Sequence, residues 1–488
     1  MNVYDELSHP LALGVFVITL FLPVLVGFVA LRRTKTQSDF FVGGRAMGRI
    51  VVALSAVSSG RSSWLVLGLS GVAYKMGVGA IWAIVGYITV EAVQFVTLGH
   101  RLRQQTQTYQ SITLLDYFAS RFDDRRHLLR VTGAVIIAIF ITAYVAAQLN
   151  AGAKSLTAAV GMPLELSLTA AAALILVYMV LGGYVAVALN DVVRALIMLI
   201  GLVVLPVAGL LELGGFGALW RALSALHPGH VDPLSIGWGA LIGFVGIGLG
   251  SPGQPHIVVR YMSIDDPANL KVSAVVGTAW NVVLGLGAVC IGLLGRALVP
   301  DVASLPDADP EMVYLVLSSS TFGPALYGLL VGGIFAAILS TADSQLLVVA
   351  STLVRDVGEQ ILRLRALQDE ASKLRLSRVV VVAAGLAALV LAYTAKDLVF
   401  WLVLFAWAGL GASLGPALIL ALYWRPVSRR GVFAGMVVGT VTTVVWKLWL
   451  KQPTGIYELI PAFVGSIIAI VLVSLALPDR ERGEPGRS

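Results

Sequence analysis

Ser55-Ala56-Val57-Ser58-Ser59-Gly60-Arg61-Ser62-Ser63-Trp64 sets five serines, a glycine and an arginine inside a run, 50–74, that is otherwise apolar enough to cross a bilayer. Serine side chains offer the backbone alternative hydrogen bonds and glycine weakens a helix, so the run is expected to unwind here. Unwound backbone at membrane depth is tolerated only where it lines a cavity or is buried in protein. A second stretch, Gly246-Ile247-Gly248-Leu249-Gly250-Ser251-Pro252-Gly253-Gln254-Pro255, interrupts a later run at 234–257. Its four glycines and two prolines cannot continue an ordinary helix. Either break alone could be a packing kink. Two breaks five spans apart predict an inverted repeat, spans two to six against seven to eleven.

Outward from these breaks, about thirteen runs are long enough to span, at about 20 residues each. They fall near 10–31, 50–74, 79–99, 130–153, 164–181, 189–213, 234–257, 272–298, 323–354, 379–395, 398–424, 431–450 and 456–477. The 488 residues are 58% hydrophobic and only 12% charged, against about 25% charged in soluble domains, so most of the chain belongs in lipid. The net charge of +7 does not argue for nucleic acid, because the basic residues sit in short loops between apolar runs. With the amino terminus outside and the carboxyl terminus cytoplasmic, most of the 34 Lys and Arg fall in cytoplasmic loops or ends. The richest of these loops, 355–378, has an amphipathic helical pattern. The single cysteine, Cys290, excludes an intrachain disulfide and a cysteine-rich metal site. Asp5 and Glu6 precede the first basic residue, Arg32, so the first run is read as a retained helix and not a signal peptide.

The ninth run carries Ala336-Ala337-Ile338-Leu339-Ser340-Thr341-Ala342-Asp343-Ser344. On a helix, 340 and 344 share a face with 341 beside 340, so three hydroxyls and a carboxylate converge at membrane depth. Any one hydroxyl could merely bond the carbonyl one turn back. A carboxylate among them is costly and marks an ion or substrate path. Oxygen-only donors suit a hard cation such as sodium better than a transition metal.

Further stretches carry a family likeness. In the first half these are Asp39-Phe40-Phe41-Val42-Gly43-Gly44-Arg45, Leu114-Leu115-Asp116-Tyr117-Phe118 and Ser120-Arg121-Phe122. In the second half they are Gly253-Gln254-Pro255-His256, Ala406-Trp407-Ala408-Gly409, Gly415-Pro416 and Ile456-Tyr457-Glu458-Leu459-Ile460-Pro461. On these motifs the chain resembles the sodium:solute symporter family, and within it the sodium/proline symporters, from the first cytoplasmic loop to the last span. The resemblance implies an all-α integral membrane protein with a LeuT-like 5+5 inverted repeat, additional helices and alternating access. It divides the chain into a first helix and loop (1–49), a transport core (50–424, with repeats 50–213 and 234–424), and two further helices with a tail (425–488). It also implies a sodium site made of the carbonyls of Ser58, Arg61 and Ala337 and the hydroxyls of Ser340 and Thr341. Some relatives use a second sodium site, which maps to Asp191, Ser340, Asp343 and Ser344. Asp191 reads equally as a structural partner of Arg194.

Two departures from the family pattern stand out. Where proline symporters carry an aspartate and a methionine, this chain has Gly60 and Arg61. Arginine stays charged and at membrane depth needs a partner, for which Asp343, Asp191 or Glu91 could serve. Arg61 reads as a structural ion pair, a contact for a substrate carboxylate, or a cation replacing sodium. The substrate pocket implied by the resemblance is lined by Ser62, Trp64, Tyr144 and the turn ending at Pro255, while Ile247 and Ser251 replace two aromatic walls.

The expected function is secondary transport, with inward sodium movement driving uptake of proline or another small amino acid or carboxylate across the cell (inner) membrane. The expected partners are that solute, sodium and the lipid bilayer, with no nucleic acid; oligomeric state is not legible. The alternatives are a sodium-independent or proton-coupled carrier, suggested by Arg61, and a membrane sensor of the same fold. No signalling domain is expected beyond the last span. An enzyme is not expected, since His256 has no evident nucleophile or metal beside it, and a loop role is read for it.

Overall fold

The computed structural model describes residues 9–31, 36–179, 183–367, 369–394 and 398–479. Among the described residues, each of the thirteen apolar runs lies on a helix or on a broken pair of helices. The unbroken spans are Pro10–Leu31 (first), Ile81–Val96 (third), Leu128–Val160 (fourth), Leu164–Met179 (fifth) and Tyr184–Leu213 (sixth). They continue with Leu270–Leu298 (eighth), Pro324–Ser351 (ninth), Glu370–Ala392 (tenth), Val399–Tyr423 (eleventh), Arg429–Val445 (twelfth) and Leu459–Ala476 (thirteenth). By length and composition, nine helical stretches among the described residues can each cross a membrane, and three shorter apolar helices accompany them.

Both expected breaks are present. In the second span the helix Arg49–Gly60 ends where Arg61 leaves helical backbone geometry (φ −112°, ψ 73°), and winding resumes over Trp64–Leu69 and Ser70–Met76. The seventh span runs Gly237–Gly246, tightens into 3₁₀ turns over Ile247–Gly253, passes through extended Gln254, and restarts as Pro255–Ser263. Pro255 opens that last helix, where its missing N–H costs nothing. Gly250 is needed for close approach: a Cβ there would fall 2.0 Å from the Trp407 indole nitrogen of the eleventh span.

A short bridge fixes the relative direction of the two broken spans. Met47, just before the second span, receives and donates backbone hydrogen bonds at the end of the seventh: Met47 N to Ser263 O and Asp265 N to Met47 O, both 3.0 Å. The start of one broken span therefore lies at the same face as the end of the other. They run in opposite directions, as an inverted repeat requires, and no strand accompanies them among the described residues. The fold is the LeuT-like 5+5 repeat with additional helices.

The ninth span is the central post. Its side chains are buried on every side from Leu330 to Ser351, apolar and polar alike. By contrast the tenth and thirteenth spans expose Val379, Val390, Leu472 and Leu475, the side chains that lipid would cover. Two boundaries differ from the sequence reading. The sixth helix starts at Tyr184, so Asp191 lies two turns inside it and not at its start. The seventh continues to Ser263, which brings Arg260 inside. In both places charged residues lowered the apparent apolarity of a segment whose charges are paired in the interior. Within 355–378, Thr352–Ile361 continues the ninth helix with a wider, π-type winding, and Glu370 opens the tenth under a cap from Asp369.

Ion pairs close the bundle at both faces. At one, Arg130 on the fourth span meets Asp116 at 2.7 Å and also pairs with Asp356, while Arg355 meets Asp116 at 3.3 Å and Glu359 at 2.8 Å. At the other, Lys154 meets Asp309 at 2.7 Å and Glu311 at 2.8 Å. Glu311 in turn accepts the Val399 and Phe400 backbone N–H groups, each at 3.0 Å, capping the eleventh helix. A cavity of about 360 Å³ lies at this second face, lined by Lys75, Lys154, Asp309 and Leu398 among others.

Candidate ion and solute site

The second and ninth spans meet hydroxyl to hydroxyl. Ser58 Oγ lies 2.7 Å from Ser340 Oγ, Ser59 Oγ lies 3.0 Å from Ser344 Oγ, and Thr341 Oγ1 donates to the Ser59 carbonyl at 3.1 Å. All five side chains are fully buried. Ser340 and Ser344 stand one turn apart on one face of a continuous helix, and Ser58 and Ser59 occupy the last turn before the break, so the two rows oppose each other. The Ser58 carbonyl accepts the Arg61 N–H at 3.2 Å, and the Gly60 carbonyl accepts the Trp64 indole at 3.1 Å. Of the first set of candidate sodium ligands, Ser58 and Ser340 are brought together directly. Thr341 joins them at the break, and Ala337 sits one turn earlier on the same helix. Hydroxyls beside the carbonyl end of a helix, with no charged group in the set, form oxygen-only surroundings suited to a hard monovalent cation.

The second candidate set is assembled differently. Asp191 Oδ2 accepts hydrogen bonds from Ser55 Oγ at 2.6 Å and Ser59 Oγ at 3.0 Å, and Arg260 Nη2 stands 3.2 Å away. The same guanidinium donates to Ser344 Oγ, to the His256 carbonyl and, from Nε, to Ser55 Oγ at 3.1 Å. Asp343 is met by Arg194 at 2.6 Å. Asp191 is thus chiefly the partner of Arg260, since Arg194 approaches it only to 3.9 Å. The sequence reading left Arg260 out because it ended the seventh span at residue 257. The signal was an arginine one turn beyond His256, in a segment that proves helical.

Arg61 settles on Glu91 of the third span, Nη2 to Oε2 at 3.4 Å, and Asn281 of the eighth span donates to the same carboxylate. Its guanidinium carbon lies 3.3 Å from the Tyr87 ring centroid and 5.9 Å from that of Trp64, a cation–π stack. Of the three candidate partners, Glu91 is the one used; Asp343 and Asp191 are taken by other arginines. Gly60 belongs to the same arrangement. A Cβ there would fall 2.5 Å from the Tyr87 hydroxyl, so no aspartate fits while Tyr87 lies over the break.

Around the break stands a ladder of rings: Trp64 to Tyr87 at 6.1 Å, Tyr87 to Trp407 at 5.4 Å, and the Trp407 indole donating to the Ile247 carbonyl at 2.8 Å. Tyr144 meets His256 edge-on at 6.0 Å. The Ser251 hydroxyl, both His256 ring nitrogens and Arg61 Nη1 close no hydrogen bond of ordinary geometry among the described residues, so polar capacity is left over around the two breaks. Pro255 stands apart. It lines a void of about 30 Å³ with Tyr184, Arg260 and Ser344, room for about one water. His256 is not in a loop; it is fully buried in the first turn of a helix. Gln148 of the fourth span was not singled out, although a glutamine in an apolar helix is a visible signal. It accepts from Ser63 N and Oγ at 3.3 and 2.9 Å, holding the restart of the second span.

Two opposed broken spans around a buried polar centre define an inverted-repeat membrane transporter. Residues 40–439 match the sodium:solute symporter family. The sodium/proline symporter of Escherichia coli (strain K12) is 36% identical over 476 residues, covering 96% of this chain and 93% of that protein. The osmoregulated proline transporter OpuE of Bacillus subtilis (strain 168) is 34% identical over 471 residues, covering 95% and 94%. In structure, the chain is similar to a Na+-coupled sialic acid symporter in a substrate-bound outward-open state, with TM-score 0.81 at 17% identity over 96% of this chain and 99% of that one. It is less similar to the nucleobase-cation-symport-1 family transporter MHP1 in a closed conformation, with TM-score 0.56 at 15% identity over 91% and 96%. The chain belongs to the sodium:solute symporter family, a family of transporters and not of enzymes.

Proposed function

We propose that the protein couples inward sodium movement to uptake of a small organic solute, proline or another amino acid or carboxylate, by alternating access. The observation that carries this reading is the uncharged oxygen cluster of Ser58, Ser340 and Thr341 at the break of the second span. Sodium entering there would exchange hydroxyl–hydroxyl contacts for ion contacts and draw the second and ninth spans together. The carbonyls of Ser58, Arg61 and Ala337 complete the set. The solute would sit beside it, against Ser62, Trp64, Tyr144, Ile247 and Ser251, with Tyr87 and Trp407 as aromatic walls. Pro255 lines the small void beside Arg260 and Ser344.

Arg61 is the structural member of an ion pair with Glu91, which supports sodium over a resident cation in the first site. The bundle divides as 1–49, 50–424 (repeats 50–213 and 234–424) and 425–488, with the amino terminus outside and the Arg355 face cytoplasmic in the inner membrane. In that orientation the Lys154–Glu311 contacts close the outer face and the Arg130–Asp356 contacts the inner one, and each cycle opens them in turn.

Uptake of labelled proline and of a panel of small amino acids into proteoliposomes, with and without an inward sodium gradient, tests the proposal. Sodium should stimulate uptake of at least one solute, and Ser340→Ala with Thr341→Ala should cut that stimulation by tenfold or more. Stimulation that survives both substitutions would remove the assigned site.

A further inference from the structure

The face of the bundle that Arg130 closes has one corner where arginines are left without internal partners. Three elements meet there: the helix Leu98–Thr108 after the third span, residues 123–127 before the fourth, and residues 424–428 between the eleventh and twelfth. Arg429 joins two of them, donating from Nη1 to the Asp123 carbonyl at 3.2 Å. Arg101 joins the third. Its guanidinium carbon lies 4.3 Å from the ring centroid of the exposed Tyr423, and Nη1 donates to the Leu422 carbonyl at 3.4 Å. The carboxylates of this corner are engaged. Asp124 accepts the backbone N–H groups of Leu128, Leu129 and Arg130, Asp123 pairs with Arg125 at 3.1 Å, and Asp479 accepts the Arg429 N–H at 2.7 Å. Arg126, Arg425 and Arg430 are exposed, and among the described residues their side chains close no hydrogen bond or ion pair. By contrast Arg45 and Arg103, on the same face, donate to backbone carbonyls of Thr106, Ser111 and Ile264.

An apolar stripe leads from the same corner into the bilayer. Leu128, Val131, Val135 and Ile139 of the fourth span are exposed at intervals of three and four residues, so they share one helical face. From Leu128 to Ile139 that face is about 16 Å long. The hydrocarbon core is about 30 Å thick, so the stripe ends near its middle, the depth that an acyl chain of one leaflet reaches.

We propose that this corner binds one phospholipid with an anionic headgroup, Arg126, Arg425 and Arg430 holding its phosphate and one acyl chain lying along the Leu128–Ile139 stripe. Guanidinium forks match phosphate oxygens in pairs, and an anionic lipid supplies the counter-charge that the corner's own carboxylates do not. The exposed Tyr423 ring carries Arg101 at the level where aromatic side chains favour the membrane interface. Basic residues at one face are expected for orientation alone. What singles out this corner is that the stacked Arg101, the three unpaired arginines and the apolar stripe converge on it. The site is independent of which ion or solute the protein carries.

The test reads lipid bound to the full purified chain. The protein in detergent is given equal amounts of phosphatidylglycerol and phosphatidylcholine with the same acyl chains, and adducts are followed by native mass spectrometry. Phosphatidylglycerol should be retained in preference, one molecule per chain, and excess inorganic phosphate should not strip it. Arg126→Gln, Arg425→Gln and Arg430→Gln together should weaken that retention by about tenfold or more. A control triple, Arg363→Gln, Arg365→Gln and Arg375→Gln, removes the same charge from exposed positions of 355–378 and should leave retention within about twofold. Equal retention of the two lipids would overturn the proposal, as would displacement by phosphate alone or an equal loss in the control. Should the first triple fail to fold, Arg430→Gln alone should weaken retention about fivefold, and an unchanged retention there would overturn it as well.

Discussion

Two buried arginines flank the broken spans, and their surroundings are unlike. Arg61 sits in the break of the second span, held by one ion pair of 3.4 Å and by the face of Tyr87, with one nitrogen closing no hydrogen bond of ordinary geometry. Arg260 sits one turn into the restarted seventh span, where a carboxylate, two serine hydroxyls and a carbonyl accept from it. A guanidinium in such company is fixed in place. One stacked on a ring, with a nitrogen left over, keeps capacity for further contact. The charge is the same in both places, and the number of acceptors separates a fully bonded guanidinium from one held by a single ion pair and a ring face.

Removing each partner sharpens that contrast. Asp191→Asn leaves Arg260 buried without its counter-charge and is expected to cost about 3–5 kcal/mol, read as a large fall in thermal midpoint of the detergent-solubilised protein. Glu91→Gln should cost less, about 1–3 kcal/mol, because the Tyr87 stack and an amide oxygen still receive Arg61. Equal losses would break the distinction between the two centres. The smallest effect belongs to the pair itself. A double-mutant cycle of Arg61→Met and Glu91→Gln should give a coupling of about 0.5–3 kcal/mol, with solute uptake kept in the double variant. A raised KM in Arg61→Met that the double variant does not relieve would show that Arg61 reads the solute and not only Glu91.

What could be read from the chain was local. The glycines and prolines of 246–255 and the serines of 55–63 act on their own backbone, so both breaks were visible, and with them the repeat. Ser340, Thr341 and Ser344 share a helical face by spacing alone, and the ninth span indeed presents them together. Pairings between spans were not legible. Arg61 and Glu91 lie 30 residues apart, Arg260 and Asp191 69, and Arg194 and Asp343 149. Nothing in the sequence tells which of several carboxylates a buried guanidinium will meet. Hydropathy also worked against the reading of Arg260, since a charge that is paired inside a bundle lowers a segment's apparent apolarity just as an exposed one does.

Sodium coupling itself is tested most directly by setting two gradients against each other in one vesicle preparation. Proteoliposomes holding the full chain are given either an inward sodium gradient at equal pH, or an inward proton gradient without sodium, and internal labelled solute is followed over time. Accumulation above the external concentration under the sodium gradient, lost when a sodium ionophore dissipates it, is the expected result. Equal accumulation under the proton gradient without sodium would contradict sodium coupling through the Ser58–Ser340–Thr341 cluster.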